Sequence, residues 1–213
     1  MELISADNKI FIYKLTTDNG GAPCVYNGLL SLAICKPKIR SIADENNWIV
    51  GFGGKLTLGE RLIYIALITK KLANGKYYKE SEYFNRPDCI YRWDEPRKKY
   101  YWKKSKYYHK DGLWLEHDLG SMSSSYDKAN TILSEHFVYL GKNGDDLYKS
   151  KYPQIKILIE KLKRNHRVNY SLPLREEIIE LIKEYMEYNS SSIPSENDFS
   201  KLCNNEDDCY CFC

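Results

Sequence analysis

Four short segments carry residue types and spacings capable of chemistry. Thr17-Asp18-Asn19-Gly20-Gly21-Ala22-Pro23 follows an apolar alternating run, and its two glycines and proline make a tight turn whose backbone N–H groups could face an anion. Asp18 is the acid beside it, open to service as a base, a ribose ligand or a turn cap. Cys35-Lys36-Pro37-Lys38-Ile39-Arg40 sets three cations within five residues at the end of an apolar run. There Arg40 offers a bidentate fork and Lys36 a point charge for phosphate; a solvated edge that resists strand aggregation is the alternative. Trp48-Ile49-Val50-Gly51-Phe52-Gly53-Gly54-Lys55 lacks the glycine spacing and the Ser/Thr of a Walker loop, and reads as a strand entering a glycine turn where a ligand or another backbone comes close. Trp48 is placed either to stack on a base or to fill a core.

The fourth segment is Arg86–Lys110, with nine basic residues interleaved with seven aromatic ones. Cations for a phosphate backbone beside flat rings for stacking is the composition of a single-strand nucleic-acid surface, and Arg92, Trp93, Arg97, Lys98, Tyr101, Trp102 and Lys103 are its candidate contacts. A hairpin with its rings packed inward and its lysines in water has the same composition. His109, His117, His136 and His166 lack zinc-hydrolase spacing, and no Gly-x-Ser-x-Gly or dinucleotide fingerprint occurs. His136, in a β-prone run, is the acid–base candidate among the four. Neither a metal site nor a cofactor is expected; the cysteines at 203, 209, 211 and 213 lack a Cys-x2-Cys pair.

The elements that must position these residues are mostly β. Lys9–Leu15, Leu30–Cys35, Trp48–Phe52 and Leu62–Thr69 read as strands, Leu113–Leu115 as a further short one, and Thr131–Leu140 as a strand or strand pair closing the sheet. Gly75–Phe84 reads as a short helix or helical turn anchored by Tyr83 and Phe84, and Arg86–His109 as a long loop or irregular hairpin. Pro153–Lys163 and Ser171–Asn189 carry helical apolar stripes. The expected fold is α+β: a curved, mostly antiparallel sheet or small PUA-like partial barrel flanked by two or three helices. One domain is expected over residues 1–189, with a flexible acidic, Cys-rich tail over 190–213.

Composition bounds the function classes. A chain of 213 residues with 43% hydrophobic content can bury roughly 70% of its unfolded surface and needs no metal or disulfide staple. No apolar run reaches the length of a membrane span, and Met1–Lys14 lacks a signal-peptide layout, so a cytoplasmic protein is expected. Seven cysteines, an odd and scattered set, point to reduced thiols rather than a disulfide framework. The formal charge of +3 hides its distribution, because residues 86–110 carry nine basic and three acidic residues while 111–213 carry 12 and 18.

Thr16–Arg40, Asn46–Lys55, Leu62–Thr69, Thr131–Asn143 and Arg164–Tyr170, in this order, resemble the nucleotide-modification-associated domain families, most closely the second and third of that series. The CKPxIR and WIVGxGxK pair is the most specific part of the likeness. The resemblance implies a compact α+β domain found in bacteria and phages beside DNA-base modification and genome-conflict genes, without an established reaction. Its motif positions fall on Asp18, Gly20, Gly21, Pro23, Lys36, Pro37, Arg40, Trp48, Gly51, Gly53, Lys55, His136 and His166. If the sheet curls, Lys36, Arg40 and Lys55 would line one mouth beside Trp48, a pocket for phosphate and base. Modified-base readers of PUA-like fold come to mind by analogy of fold alone.

The reading is a nucleotide or nucleic-acid binding domain for base modification or its recognition. One alternative is a transferase or hydrolase acting on a nucleotide or modified base through Asp18 or His136; the other is a ligand-sequestering or protein-interaction factor. The partners expected are nucleotide or nucleic acid, with no membrane, and the aromatic surface leaves a homodimer open.

Overall fold

The structure, a computed structural model, describes residues 4–5, 7–103, 108–109, 112–163 and 165–189. Among them the chain runs β1 (Ile10–Leu15), β2 (Cys24–Tyr26), β3 (Leu29–Leu32), α1 (Pro37–Ile42), β4 (Trp48–Gly53), α2 (Lys55–Leu58), β5 (Leu62–Leu67) and β6 (Lys70–Leu72). It continues through β7 (Tyr91–Asp94), β8 (Lys99–Trp102), α3 (Leu115–Leu119), β9 (Thr131–Ser134), β10 (His136–Tyr139), α4 (Tyr148–Lys151), α5 (Pro153–Lys161), β11 (His166–Arg167) and α6 (Leu172–Asn189). This is an α+β fold with open sheets and, among the described residues, no closed barrel. The tail expected over residues 190–213 lies outside the described residues.

The chain builds two compact units, each with its own sheet and core. The first comprises the segments up to Thr17, Asn46–Leu67 and from His136 onward. Its five-stranded sheet has the order β10-β5-β4-β1-β11, antiparallel except for the parallel pair β1–β4. KIFIYKL, WIVGF and LIYIALIT form its centre as their β-rich composition predicts, and β4 is buried along its whole length. Ile155 and Ile159 of α5 and Ile178, Leu181 and Ile182 of α6 close that core.

Gly51 shows how tightly the centre is packed. A Cβ there would lie 2.2 Å from a ring carbon of Tyr64 and 2.8 Å from Leu15. The Tyr64 ring crosses that space so that its hydroxyl meets that of Tyr13 at 2.9 Å.

The second unit comprises Asp18–Glu45 and Ile68–Glu135 among the described residues. It holds a four-stranded antiparallel sheet in the order β2-β3-β9-β6 and the separate hairpin β7–β8. Thr131–Leu140, one apolar run in sequence, is divided at Glu135: β9 joins this sheet and β10 joins the other. One expectation is corrected here. Leu113–Leu115 is no strand: a 3-10 turn over Gly112–Trp114 leads straight into α3. The helix or helical turn expected over Gly75–Phe84 takes the second form, as two 3-10 turns, Lys76–Tyr78 and Ser81–Tyr83, which bury Tyr77, Tyr78 and Tyr83 in the aromatic core.

Gly51→Ala is expected to lower stability by about 1–3 kcal/mol through overpacking. Urea denaturation followed by circular dichroism measures it, and an unchanged midpoint would show that Tyr64 moves aside freely.

Candidate functional site

The end of β3 leads through Ala33 and Ile34 into a sharp turn. Cys35 and Lys36 both take left-handed conformations there, with φ of 57° and 46°. Such backbone costs about 1–3 kcal/mol per non-glycine residue and persists only where its surroundings hold it. Pro37, whose fixed φ suits a first helical turn, then starts α1. Arg40 holds this elbow from inside. Its Nε donates to the Cys35 carbonyl at 2.6 Å, its Nη1 to the carbonyls of Lys128 and Asn130 at 2.9 and 2.5 Å, and its Nη2 to that of Asp118 at 2.7 Å. The side chain is fully buried. Arg40 was expected to grip phosphate; instead its guanidinium faces backbone carbonyls of its own unit.

Asp118 in α3 is the second fixed point. Its Oδ1 accepts the backbone N–H of Cys35 at 2.7 Å and lies 3.2 Å from His117 Nδ1. Its Oδ2 accepts the Tyr91 hydroxyl at 2.8 Å and lies 2.8 Å from His109 Nδ1. The other nitrogen of that ring, Nε2, is 3.5 Å from Cys35 Sγ. Trp114 stacks on the His109 ring at 4.8 Å, which fixes its plane. Burial works against the ionised carboxyl, yet hydrogen bonds from His109 and His117, with the charges of His109 and Arg40, hold Asp118 well below the usual carboxylate range.

Cys35 is disulfide-bonded, whereas Cys24 and Cys89 are free and buried. The expectation of reduced thiols therefore holds for two cysteines and fails for Cys35. One donor atom from each of Cys35, His109 and Asp118 falls within 4.8 Å of the others, a grouping compatible in distance with a metal ion. Two features disfavour that use. A disulfide sulfur lacks the charge of a thiolate, and Arg40 already sets a cation 4.0 Å from Asp118 Oδ1.

The basic aromatic segment folds as a regular hairpin, with Tyr91 opposite Trp102, Arg92 opposite Tyr101, Trp93 opposite Tyr100 and Asp94 opposite Lys99. Alternation sends Tyr91 and Tyr100 into the core, with Trp93 and Trp102 packed against it. Tyr101, Lys99 and Lys103 are exposed, as are Arg97 and Lys98 in the connecting turn. Arg92 lies 4.0 Å over the Phe84 ring and donates to the Phe84 carbonyl at 2.7 Å. Of the seven proposed contacts, Arg97, Lys98, Tyr101 and Lys103 thus face water, while Trp93, Trp102 and Arg92 are partly covered by their own unit.

The remaining sequence candidates are dispersed. Gly20 and Gly21 sit against Tyr108; a Cβ on Gly21 would meet its ring at 2.6 Å, so that glycine is required by a close approach of protein. Asp18 and Lys36 are half-buried in the second unit. Trp48, Gly53 and Lys55 belong to the first. Trp48 is wholly buried among apolar side chains, with no face open for stacking on a base. A Cβ on Gly53 would meet that of Leu58 at 2.3 Å, and Lys55 is exposed at the start of α2. His136 is exposed on β10, an edge strand, and His166 pairs with Tyr13 across β1–β11. His109 and Asp118 escaped the sequence reading, because Cys35 is 74 residues from one and 83 from the other. Cys35 itself lies in the CKPKIR segment, where nothing local sets its sulfur apart from the cations around it.

The molecule is thus an α+β protein of two units, the second of which carries both an outward basic hairpin and a buried sulfur–imidazole–carboxylate series. The chain belongs to the nucleotide modification associated domain 2 family, whose model matches residues 7–201. That family is the second of the numbered series, one of the two its motifs resemble. No curated protein and no solved structure matches the chain significantly. No described helix is long and apolar enough to cross a membrane.

Asp118→Asn is expected to destabilise the protein by about 3–5 kcal/mol near neutral pH, since it strips a buried guanidinium of its counter-charge. The sign of the pH dependence follows from the lowered carboxyl pKa. Its stabilisation is complete above the unfolded aspartate value of about 3.9 and is lost as pH falls below it toward the folded value. The difference between wild type and variant should therefore shrink on acidification below about pH 4, as read by denaturation midpoints across pH.

Proposed function

We propose that the chain is a nucleotide or nucleic-acid binding domain serving base modification or its recognition, and that the outward face of β7–β8 makes the contact. The observation that carries this reading is the exposed ring of Tyr101 on a strand whose flanks are cationic, with Lys99 and Lys103 on either side and Arg97 and Lys98 in the turn. Tyr101 is 47% exposed although Tyr100 beside it is buried, so the ring offers a face to a base without unfolding anything. Arg97 and Lys98 are engaged only with Asp94 and Glu95 of the same turn, and such exposed pairs contribute about 0–1 kcal/mol. A phosphate displaces such partners at little cost. The family's association with nucleotide modification supplies the context for such a ligand.

Fluorescence anisotropy with labelled single-stranded and duplex oligonucleotides across a salt series tests the proposal. Arg97→Ala, Lys98→Ala and Lys99→Ala together should weaken binding and reduce the salt slope by about 2, at roughly 0.7 per single-strand phosphate contact. Tyr101→Ala should cost about 1–3 kcal/mol of affinity with the melting temperature nearly unchanged, because the ring is exposed. Undetectable oligonucleotide binding, or binding indifferent to both variants, would sink the assignment to this hairpin.

A further inference from the structure

The contact proposed for the outward face of the hairpin makes no use of the buried series formed by Cys35, His109 and Asp118. Their exposures are 3%, 3% and 0%, and their order in space is sulfur, imidazole, carboxylate. Nε2 of His109 faces the sulfur at 3.5 Å, while Nδ1 is held by Asp118 at 2.8 Å. An activated nucleophile needs this division of the ring: one nitrogen receives the nucleophile's proton, and the other is fixed by a group that stabilises the imidazolium. The ring has little freedom to turn, because Trp114 stacks on it and the Tyr91 hydroxyl packs against the same carboxylate oxygen.

The position of the sulfur is built with similar care. Cys35 sits in a strand–turn–helix elbow with φ in the left-handed region, and its N–H donates to the carboxylate that also orients His109. One side chain, Asp118, therefore sets both the backbone of the sulfur-bearing residue and the plane of the base. Cys24 and Cys89 supply the contrast within the same unit. Burial pushes both thiols up, Cys89 to about 11.

We propose that Cys35, released from its disulfide by a dithiol, is the nucleophile of an acyl-transfer site, with His109 as general base and Asp118 as the residue that positions it. Release takes two electrons and two protons from the dithiol, which leaves as its own disulfide. In the reaction, the Cys35 thiol proton passes to His109 Nε2 as sulfur bonds to the acyl carbon of an ester or amide. The carbon–oxygen or carbon–nitrogen bond to the leaving group breaks, and the imidazolium returns its proton to the departing alcohol or amine. Water then adds to the thioester, giving the carboxylic acid and the free thiol. Lys36, next to the nucleophile, and the exposed Lys38 favour an acyl group carried on an anionic molecule. This inference stands apart from the oligonucleotide reading, and either can fail alone.

The test uses the full chain, reduced with dithiothreitol and desalted, with p-nitrophenyl acetate and iodoacetamide as probes. The expected results are a burst of p-nitrophenolate with one acetyl group on the Cys35 peptide, and alkylation of Cys35 at about pH 7 at least 10-fold faster than glutathione. Unreduced protein and Cys35→Ser should give neither. His109→Gln should lower both rates by about 100-fold while leaving the circular dichroism spectrum unchanged. Tyr91→Phe, a milder change than removing Asp118, should shift the pH profile of alkylation, which a purely structural hydroxyl would not do. Alkylation no faster than glutathione, or a rate indifferent to His109→Gln, would overturn the proposal. So would one equivalent of zinc held by the reduced protein and lost in Cys35→Ser, which would make the cluster a metal site.

Discussion

Arg40 and Asp118 are both fully withdrawn from water, and neither charge would be tolerated there without the groups that surround it. Between them they fix the elbow at Cys35, the end of α3, the segment around Lys128 and Asn130, the hairpin through Tyr91, and His109. Buried ion pairs contribute little net stability, because desolvation offsets their attraction. What the pair supplies is geometry: segments distant in sequence share donors and acceptors that fit in one arrangement. The strained φ of Cys35 is held by this arrangement, with Asp118 on its N–H and Arg40 on its carbonyl.

A second buried pair in the same unit shows what is particular about the first. Arg86 donates to the carbonyls of Tyr26 and Leu29 at 2.9 and 3.0 Å and to Ser31 Oγ at 2.7 Å, and stands 3.7 Å from Asp88. Asp88 accepts from Ser31 and Tyr77. Burial raises the Asp88 carboxyl, and Arg86 with two neutral hydroxyl donors only moderates that rise. Asp118 is equally buried and moves the opposite way, because two imidazoles stand against it. The first arrangement ties β2–β3 to the aromatic core. The second keeps a carboxylate ionised beside a ring that faces sulfur.

The legible part of the sequence was the part governed by local pattern. The alternation of KIFIYKL and the apolar run of LIYIALIT predict the strands of the first unit, and the apolar stripe of 171–189 predicts its long helix. Thr131–Leu140 could not reveal its division at Glu135, because a period of two continues unbroken when a chain passes from one sheet to another. YRWD alternates, but KYYW sets three rings in a row, and Pro96 and the charged turn between the two runs hide the register that separates inward from outward rings. The basic residues of CKPKIR drew attention to phosphate, although burial of Arg40 is decided by carbonyls some 80 to 90 residues further along the chain. The sulfur–imidazole–carboxylate series has no local signature at all. It exists only once β3, the hairpin and α3 have packed.

The hairpin and the buried series are coupled through a single strand. In β7, Tyr91 turns inward to donate to Asp118, and the next residue, Arg92, pairs across the ladder with the exposed Tyr101. Side chains of a strand alternate between faces, so a slip of one residue would withdraw the Tyr91 hydroxyl from Asp118 and carry Tyr101 out of water in the same movement. The register is held from both sides of the ladder. Tyr78 packs edge-on to Tyr91 and also contacts Tyr100, and Tyr100 packs against Trp93 and Tyr126. The unusual abundance of tyrosine in this chain thus has a structural use: a cluster of inward rings fixes one register, and that register presents cations and one ring to solvent while holding a phenol against the carboxylate that orients His109.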